Sequence, residues 1–384
     1  MTPDRRRLIF TGAALSLTTA FGARAGIATV RNPFGPKPED LPLADILSDT
    51  GAPALGLAVA TDKEIKLIKV TGRRRIDRDD PVDQADLWDI GSNTKAMTAL
   101  AYGRLVELGK AKWGAKLPDL FPDLTFDASF KDVTIEDLLS HRSGIKDDHF
   151  IDSDWLIAAQ GDPRPLRDQR SDFTKRVLSY PADGKAGDYA YANANYVIAG
   201  AAMERLDDRP FEQILNVHLF GPLKLDTAGF GAPTGAQPWG HRLQNRHLLP
   251  VNPEGVADHP PVFGPAGRVH LSLADYARFA QVFLTDGGDL VGPQTLAHIA
   301  RPQGASAATD GYGLGWQVYM DRPWADGPLL MQEGSNTFWH SLIAIAPGKP
   351  LAIIAVSNAE TDGAEACRRL AEAAIKAYVP TSVE

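Results

Sequence analysis

Three residues in this chain could share one proton-transfer task. Ser92-Asn93-Thr94-Lys95 sets a hydroxyl three positions before an amine, at the start of an apolar stretch. In a helix, positions i and i+3 lie on one face, so the serine Oγ and the lysine Nζ would meet. A buried ammonium is costly, so Lys95 is expected to have a lowered pKa and to take the serine proton or hold a general base in place. The helix N-terminus also favours negative charge developing near Ser92. Taken alone, the tetrapeptide reads as readily as a helix cap, because Ser is a favoured N-cap residue. Further along, Tyr191-Ala192-Asn193 offers a phenol that can shuttle a proton beside a cation, and an amide that can orient Lys95 or a substrate amide. Alone, that tripeptide also fits a surface turn.

These residues need elements to hold them. Trp88-Asp89-Ile90-Gly91 leads into a helix predicted over about 92–108, apolar on most sides (Ala96, Met97, Leu100, Ala101, Leu105, Val106), as a buried central helix should be. Before it, the apolar runs 55–60 and 65–70 flank Thr61-Asp62-Lys63-Glu64 and read as a hairpin. From about 110 to 255, short helical patterns (135–140, 196–206, 211–219) alternate with stretches rich in Pro, Gly and Asp. A helix over 274–284 then precedes apolar runs at 338–346 and 351–356. Pro347-Gly348-Lys349-Pro350 joins those runs as a second hairpin, and a last helix covers 364–378. Strands at both ends with helices between them predict an α/β (α+β) fold. It would have one antiparallel sheet built from both termini, flanked by helices, with a mostly helical inserted domain. With 384 residues, the chain exceeds what one core usually fills. We expect a signal peptide at 1–25, an α/β domain from 26–110 and 256–384, and the helical domain at 111–255.

Order and spacing bring the motifs together. Gly91-Ser92-Asn93-Thr94-Lys95 comes first, then Thr134-Ile135-Glu136-Asp137-Leu138-Leu139-Ser140-His141-Arg142-Ser143-Gly144, then Tyr191-Ala192-Asn193. Pro265-Ala266-Gly267 ahead of Ser272-Leu273-Ala274-Asp275 follows, and Gly311-Tyr312-Gly313-Leu314-Gly315-Trp316 comes last. The series, spanning about 45–375, resembles the class C β-lactamase family of penicillin-recognising enzymes, which also holds esterases and D-stereospecific peptidases. Y-x-N in place of S-D-N marks the class C-like branch. The resemblance implies a β-lactamase/transpeptidase-like fold and a two-step acyl transfer on an ester, amide or lactam. Ser92 would be the nucleophile, with Lys95 and Tyr191 relaying its proton to the leaving group, and water would then release the acyl-enzyme.

The same resemblance implies a substrate site around Asn193 and a third motif, lysine or histidine followed by x-Gly. Here that motif falls on Gln332-Glu333-Gly334, so the backbone N–H groups of Ser92 and Ser335 would form the oxyanion hole. Gln332 stands where relatives carry a cation, and Phe338 where many carry glycine. A cation there would bind a substrate carboxylate and help hold the tyrosine ionised. Gln supplies only neutral hydrogen bonds, about half as strong. Esters or D-peptides are therefore expected ahead of penicillins. A true class C-like β-lactamase or a D-alanyl-D-alanine carboxypeptidase is the alternative, and a penicillin-binding sensor or non-catalytic scaffold is the alternative of another class. Retention of all three catalytic side chains argues against a dead enzyme. His340 could stand in for the missing cation in a different register, though it is expected to point elsewhere on its strand. His141 matches a family position with a structural role.

Other residues have simpler readings. His241, His247, His259 and His270 lack metal-ligand spacing, there is no H-E-x-x-H, and no metal or organic cofactor is expected. No G-x-S-x-G elbow exists. Asp147-Asp148 and Asp207-Asp208 read as solvated loops. Trp88, Trp239, Trp316 and Trp339 read as packing residues, with Trp339 close enough to the third motif to line a pocket. Cys367, the one cysteine, reads as a packed thiol. A net charge of −8 argues against a nucleic-acid partner, leaving a small-molecule or peptide substrate, with the oligomeric state open. Arg5-Arg6-Arg7, an apolar run over 8–21 and Ala23-Arg24-Ala25 have the layout of a secretory signal peptide, the paired arginines suggesting the twin-arginine type. The run is short for a membrane span. Export to a bacterial periplasm is expected, without stable membrane insertion once the signal is removed.

Overall fold

The apolar runs at the two ends of the chain meet in one sheet. The computed structural model describes residues 37–304 and 309–379, so the segment read as a signal peptide lies outside the described residues. Strands β1 (Ala54–Thr61) and β2 (Ile65–Gly72) form the first hairpin, and β3 (Leu87–Asp89) follows. The middle of the chain gives β4 (Gly229–Phe230), β5 (His241–Gln244), β6 (His247–Pro250) and β7 (Val269–Ser272). The last part gives β8 (Gly311–Tyr312), β9 (Gln317–Tyr319), β10 (Leu329–Ser335), β11 (His340–Ala346) and β12 (Leu351–Ser357). The main sheet has the order β2-β1-β12-β11-β10-β9-β8, with every neighbouring pair antiparallel. It is the predicted sheet built from both termini, closed where Leu57 sits opposite Ala355.

Strands β1, β11 and β12 are buried on both faces, which is why their sequences are apolar without alternation. On the outer face Leu57, Val59, Leu342, Ile353 and Ala355 pack against the C-terminal helix Thr361–Tyr378. That helix presents Ala366, Cys367, Leu370 and Ala374 at helical spacing, so Cys367 is a core thiol. On the inner face Ala58, Ile343 and Ile354 join a core shared with the central helix Thr94–Glu107 and the helix Leu273–Leu284. The same core continues into the middle region through Ile135, Val197, Ile198 and Phe211. There the chain forms helices Ile135–Leu139, Leu166–Leu178, Asn193–Asp207 and Phe211–Leu215, the last running into a π turn over Asn216–Phe220. The β5–β6 hairpin interrupts a stretch expected to be mostly helical.

The central helix does not begin where periodicity places it. Gly91–Asn93 forms a 3-10 turn, with Gly91 at φ 49°, and α-helix starts at Thr94. The reason lies in tertiary structure. A Cβ on Gly91 would sit 2.5 Å from the Ser335 nitrogen, so the turn is shaped by the close approach of β10.

Candidate active site

Ser92 Oγ lies 2.7 Å from Tyr191 Oη and accepts a hydrogen bond from Lys95 Nζ at 2.9 Å. It caps nothing, since the turn and the helix start without a side-chain cap, which removes the bland reading of the tetrapeptide. Lys95 is fully buried, and Nζ also donates to Asn193 Oδ1 at 2.8 Å and to the Ala266 carbonyl at 2.7 Å. An ammonium has three hydrogens and meets three acceptors here. A neutral amine has two. Asn193 Oδ1 and the Ala266 carbonyl can only accept, so the lone pair of a neutral Lys95 faces the Ser92 hydroxyl. Burial lowers the Lys95 pKa to about 7, against the nearby Asp147 charge that pulls it upward.

Tyr191 is set beside this pair by the start of the helix Asn193–Asp207, and Lys95 Nζ lies 4.8 Å from its ring centre. Burial pushes the phenol well above its ordinary pKa even though Ser92 hydrogen-bonds to it, so it is a neutral O–H group. This is in keeping with Gln332, which supplies no cation to hold the tyrosine ionised. His141 packs against Tyr191 with the rings tilted and their centres 4.3 Å apart, and its Nδ1 accepts from the Ala192 N–H at 3.2 Å. Burial holds the imidazole pKa well below its ordinary value, so His141 supports the tyrosine as a neutral ring.

The segment around Pro265-Ala266-Gly267 is pinned to the central helix. Thr98 Oγ1 donates to the Pro265 carbonyl at 2.8 Å, and the Val269 N–H donates to Thr94 Oγ1 at 3.0 Å. These bonds aim the Ala266 carbonyl at Lys95.

The third motif meets Ser92 through its backbone. A Cβ on Gly334 would lie 2.0 Å from the Ile90 carbonyl oxygen and 3.0 Å from the Ser92 nitrogen. With Gly91 against Ser335, two glycines bring the backbones of Ser92 and Ser335 side by side. Gln332 is buried on the same strand face as Gly334, opposite Ile343. Glu333 faces the other way, 3.2 Å from His340 and 3.3 Å from Arg368 of the C-terminal helix. Burial pushes the Glu333 pKa up, but His340 and Arg368 more than offset it and hold the carboxyl low. His340 therefore points away from Ser92, as expected. Trp339 is fully buried and abuts Gly240, so it packs and does not line an open pocket.

Two acidic pairs differ from their reading as solvated loops. Asp148 is exposed, but Asp147 Oδ2 accepts from the Asn193 N–H at 2.7 Å and from Asn193 Nδ2 at 3.0 Å, while Oδ1 accepts from the Ala194 N–H at 2.9 Å. It caps the helix Asn193–Asp207 from 46 residues upstream. Asp207 is buried by Lys110, Arg209 and His218, while Asp208 is the exposed partner. In both cases partners remote in sequence, the Asn193 and Ala194 N–H groups for Asp147 and Lys110 and His218 for Asp207, draw the carboxylate inward. Sequence reasoning also missed the Ala266 carbonyl, because a backbone acceptor has no residue-type signature; the Pro-Ala-Gly motif was the only signal for it. Among the described residues no group of His, Cys, Asp or Glu is placed to hold a metal, and no helix is long and apolar enough to cross a membrane.

Comparison with known proteins places the chain in a family. The Beta-lactamase family model matches residues 41–377. Penicillin-binding protein 4 of Amycolatopsis lactamdurans is 29% identical over 289 residues, covering 71% of this chain and 72% of that protein. Unguisins hydrolase ungD' of Aspergillus campestris is 26% identical over 294 residues, covering 71% of this chain and 52% of the relative, so the chain spans about half that protein's length. The solved structure of a D-stereospecific amidohydrolase from Streptomyces sp. shares the fold with a TM-score of 0.68 at 19% identity, covering 86% of this chain and 97% of that one. Fold and family together define a serine hydrolase class, and the chain belongs to the Beta-lactamase family.

Proposed function

We propose that the protein is an exported hydrolase that forms an acyl-enzyme on Ser92 with an ester or amide substrate. The observation that carries this is the convergence of Lys95 Nζ and Tyr191 Oη on one serine oxygen, at 2.9 and 2.7 Å. Neutral Lys95 accepts the Ser92 proton as Oγ attacks the carbonyl carbon, and the oxyanion is held by the N–H groups of Ser92 and Ser335. Tyr191, neutral and bonded to Oγ, passes a proton to the leaving group and is reprotonated through Lys95. Water then attacks the acyl-enzyme by the reverse path. Asn193, Gln332 and Gly334 shape the substrate side. The neutral Gln332 favours substrates without a carboxylate at that end. A D-peptidase or lactamase role is the second reading, favoured by the likeness to a penicillin-binding protein and a D-stereospecific amidohydrolase.

The test is turnover of a p-nitrophenyl ester, a D-Ala-D-Ala peptide and a chromogenic cephalosporin by the mature protein and by Ser92→Ala, with intact mass recorded for an adduct. We expect ester turnover and a transient adduct in wild type, and neither in Ser92→Ala. Equal turnover by both proteins would sink the nucleophile assignment. A lasting adduct without turnover would make the protein a sensor. Periplasmic recovery with a new N-terminus near residue 26 is expected if the export reading holds.

A further inference from the structure

The Asn193 amide has two faces, and only one of them suits the chemistry proposed for Lys95. With Oδ1 toward Lys95, the lone pair of the neutral amine must face Ser92. With the amide flipped, Nδ2 would approach Lys95, the amine could give its lone pair to that N–H, and Ser92 would lose its proton acceptor. The amide's orientation is set on its far side. Asp147 Oδ2 accepts from Asn193 Nδ2 at 3.0 Å, and a flip would set Asn193 Oδ1 against a carboxylate oxygen. Asp147 cannot turn away, because the Asn193 and Ala194 N–H groups hold it at 2.7 and 2.9 Å. Burial raises the Asp147 pKa, against the Ala194 and Asn193 N–H groups and the Lys95 charge that lower it; accepting on both oxygens from three N–H donors is the pattern of the ionised form.

We propose that Asp147 is a positioning residue: by holding the Asn193 amide with its oxygen toward Lys95, it obliges the Lys95 lone pair to face Ser92. The inference rests on the reading of Ser92 and Lys95 given above and adds a residue outside the motif triad. It also gives the charge a second effect. The groups around Lys95 are Asp147, the neutral phenols of Tyr191 and Tyr196, and the imidazoles of His141 and His259, both held below their ordinary pKa by burial. Asp147 is the anion that favours the Lys95 ammonium. Removing its charge lowers the Lys95 pKa, so the neutral amine persists to lower pH and the acid limb of activity moves down.

The experiment compares full-length wild type, Asp147→Asn, Asp147→Ser, Asp147→Glu and Asp148→Asn from pH 5 to 9. The readouts are hydrolysis of p-nitrophenyl acetate and the rate of labelling by a fluorophosphonate. Wild type should show an acid limb inflecting at about pH 7. Asp147→Asn should lose roughly tenfold in kcat/KM, with the inflection lower by about half a pH unit or more. Ser also removes the charge, so Asp147→Ser should behave like Asn and carries the test if the Asn variant does not fold. Glu should keep the wild-type inflection, and Asp148→Asn should match wild type throughout. An unmoved inflection and an unchanged rate in both uncharged variants, with Ser92 labelling intact, overturns the role of Asp147 alone. Absent wild-type labelling with a fully active Ser92→Ala overturns the nucleophile reading and this one with it.

Discussion

Gln332 is the residue on which the proposed preference for substrates without a carboxylate rests. It is buried on the face of β10 that carries Gly334, two positions from the backbone that meets Ser92. A cation there would reach a substrate carboxylate through a charge-assisted bond, worth about 1–2 kcal/mol more than a neutral one, or roughly tenfold in kcat/KM. Gln332→Lys is therefore expected to raise kcat/KM for a carboxylate-bearing lactam or D-peptide, and to leave its methyl ester little changed. The check is the ratio of the two rates. A ratio equal to wild type would mean that the third motif lies elsewhere. Ser92, Lys95 and Tyr191, the proposed catalytic group, could be picked out of the sequence through the order and spacing of their motifs, and the fold brings the three side chains into contact. Asp147 could not be, because an aspartate beside an exposed aspartate looks solvated until the helix it caps is placed against it.

At the scale of elements, contacts between segments decide local geometry against propensity. Gly200 lies inside the helix Asn193–Asp207, where alanine would ordinarily be the better helix former by about 1 kcal/mol. A Cβ there would lie 2.2 Å from Pro265 Cγ, part of a ring that cannot swing aside. Overpacking of that kind costs about 1–3 kcal/mol, so the clash outweighs the propensity gain. Gly200→Ala is expected to lower the thermal midpoint and, by pushing the Pro265–Ala266 carbonyls off Thr98 and Lys95, to slow turnover; an unchanged or higher midpoint with wild-type rate would refute it. The strands and the helix positions were readable because β1, β11 and β12 are continuous apolar runs and the C-terminal helix repeats its apolar face. The start of the central helix and the β5–β6 hairpin were not. The first depends on β10 pressing on Gly91, and the second has short strands rich in polar residues, with His241, Arg242 and Gln244 on one and His247 opening the other.

Across the whole molecule, the turn that carries Ser92 is fixed where segments remote in sequence converge on buried charge. Strand β3 pairs with β7, with Trp88 opposite Leu271, and the Ile90 N–H donates to the Val269 carbonyl at 3.0 Å. Asp258 accepts from Asn336 Nδ2 at 3.2 Å and from Arg268 Nε at 2.9 Å, tying the loop after β10 to the same place. Asp89 joins them, 1% exposed, with Oδ1 accepting from the Gly91 N–H at 2.8 Å and Oδ2 without a hydrogen-bond partner among the described residues. Burial, then repulsion from Asp258, raises the Asp89 pKa well above its ordinary value, against the Gly91 N–H and Arg268. The folded state therefore binds this proton more tightly than the unfolded chain does. Stability falls as pH climbs from the unfolded carboxylate value toward the raised folded one, and the penalty stays in full above it. Asn at this position keeps an acceptor for the Gly91 N–H and carries no charge for Asp258 to repel. Asp89→Asn is thus expected to raise the thermal midpoint at pH 7–8 by roughly 2 °C or more, the gain shrinking as pH falls toward about 4. Thermal unfolding of both proteins across that range decides it. A variant no more stable than wild type at pH 8 would show that the Asp89 charge is compensated in the folded protein, and that the junction under Ser92 is held without a cost in stability.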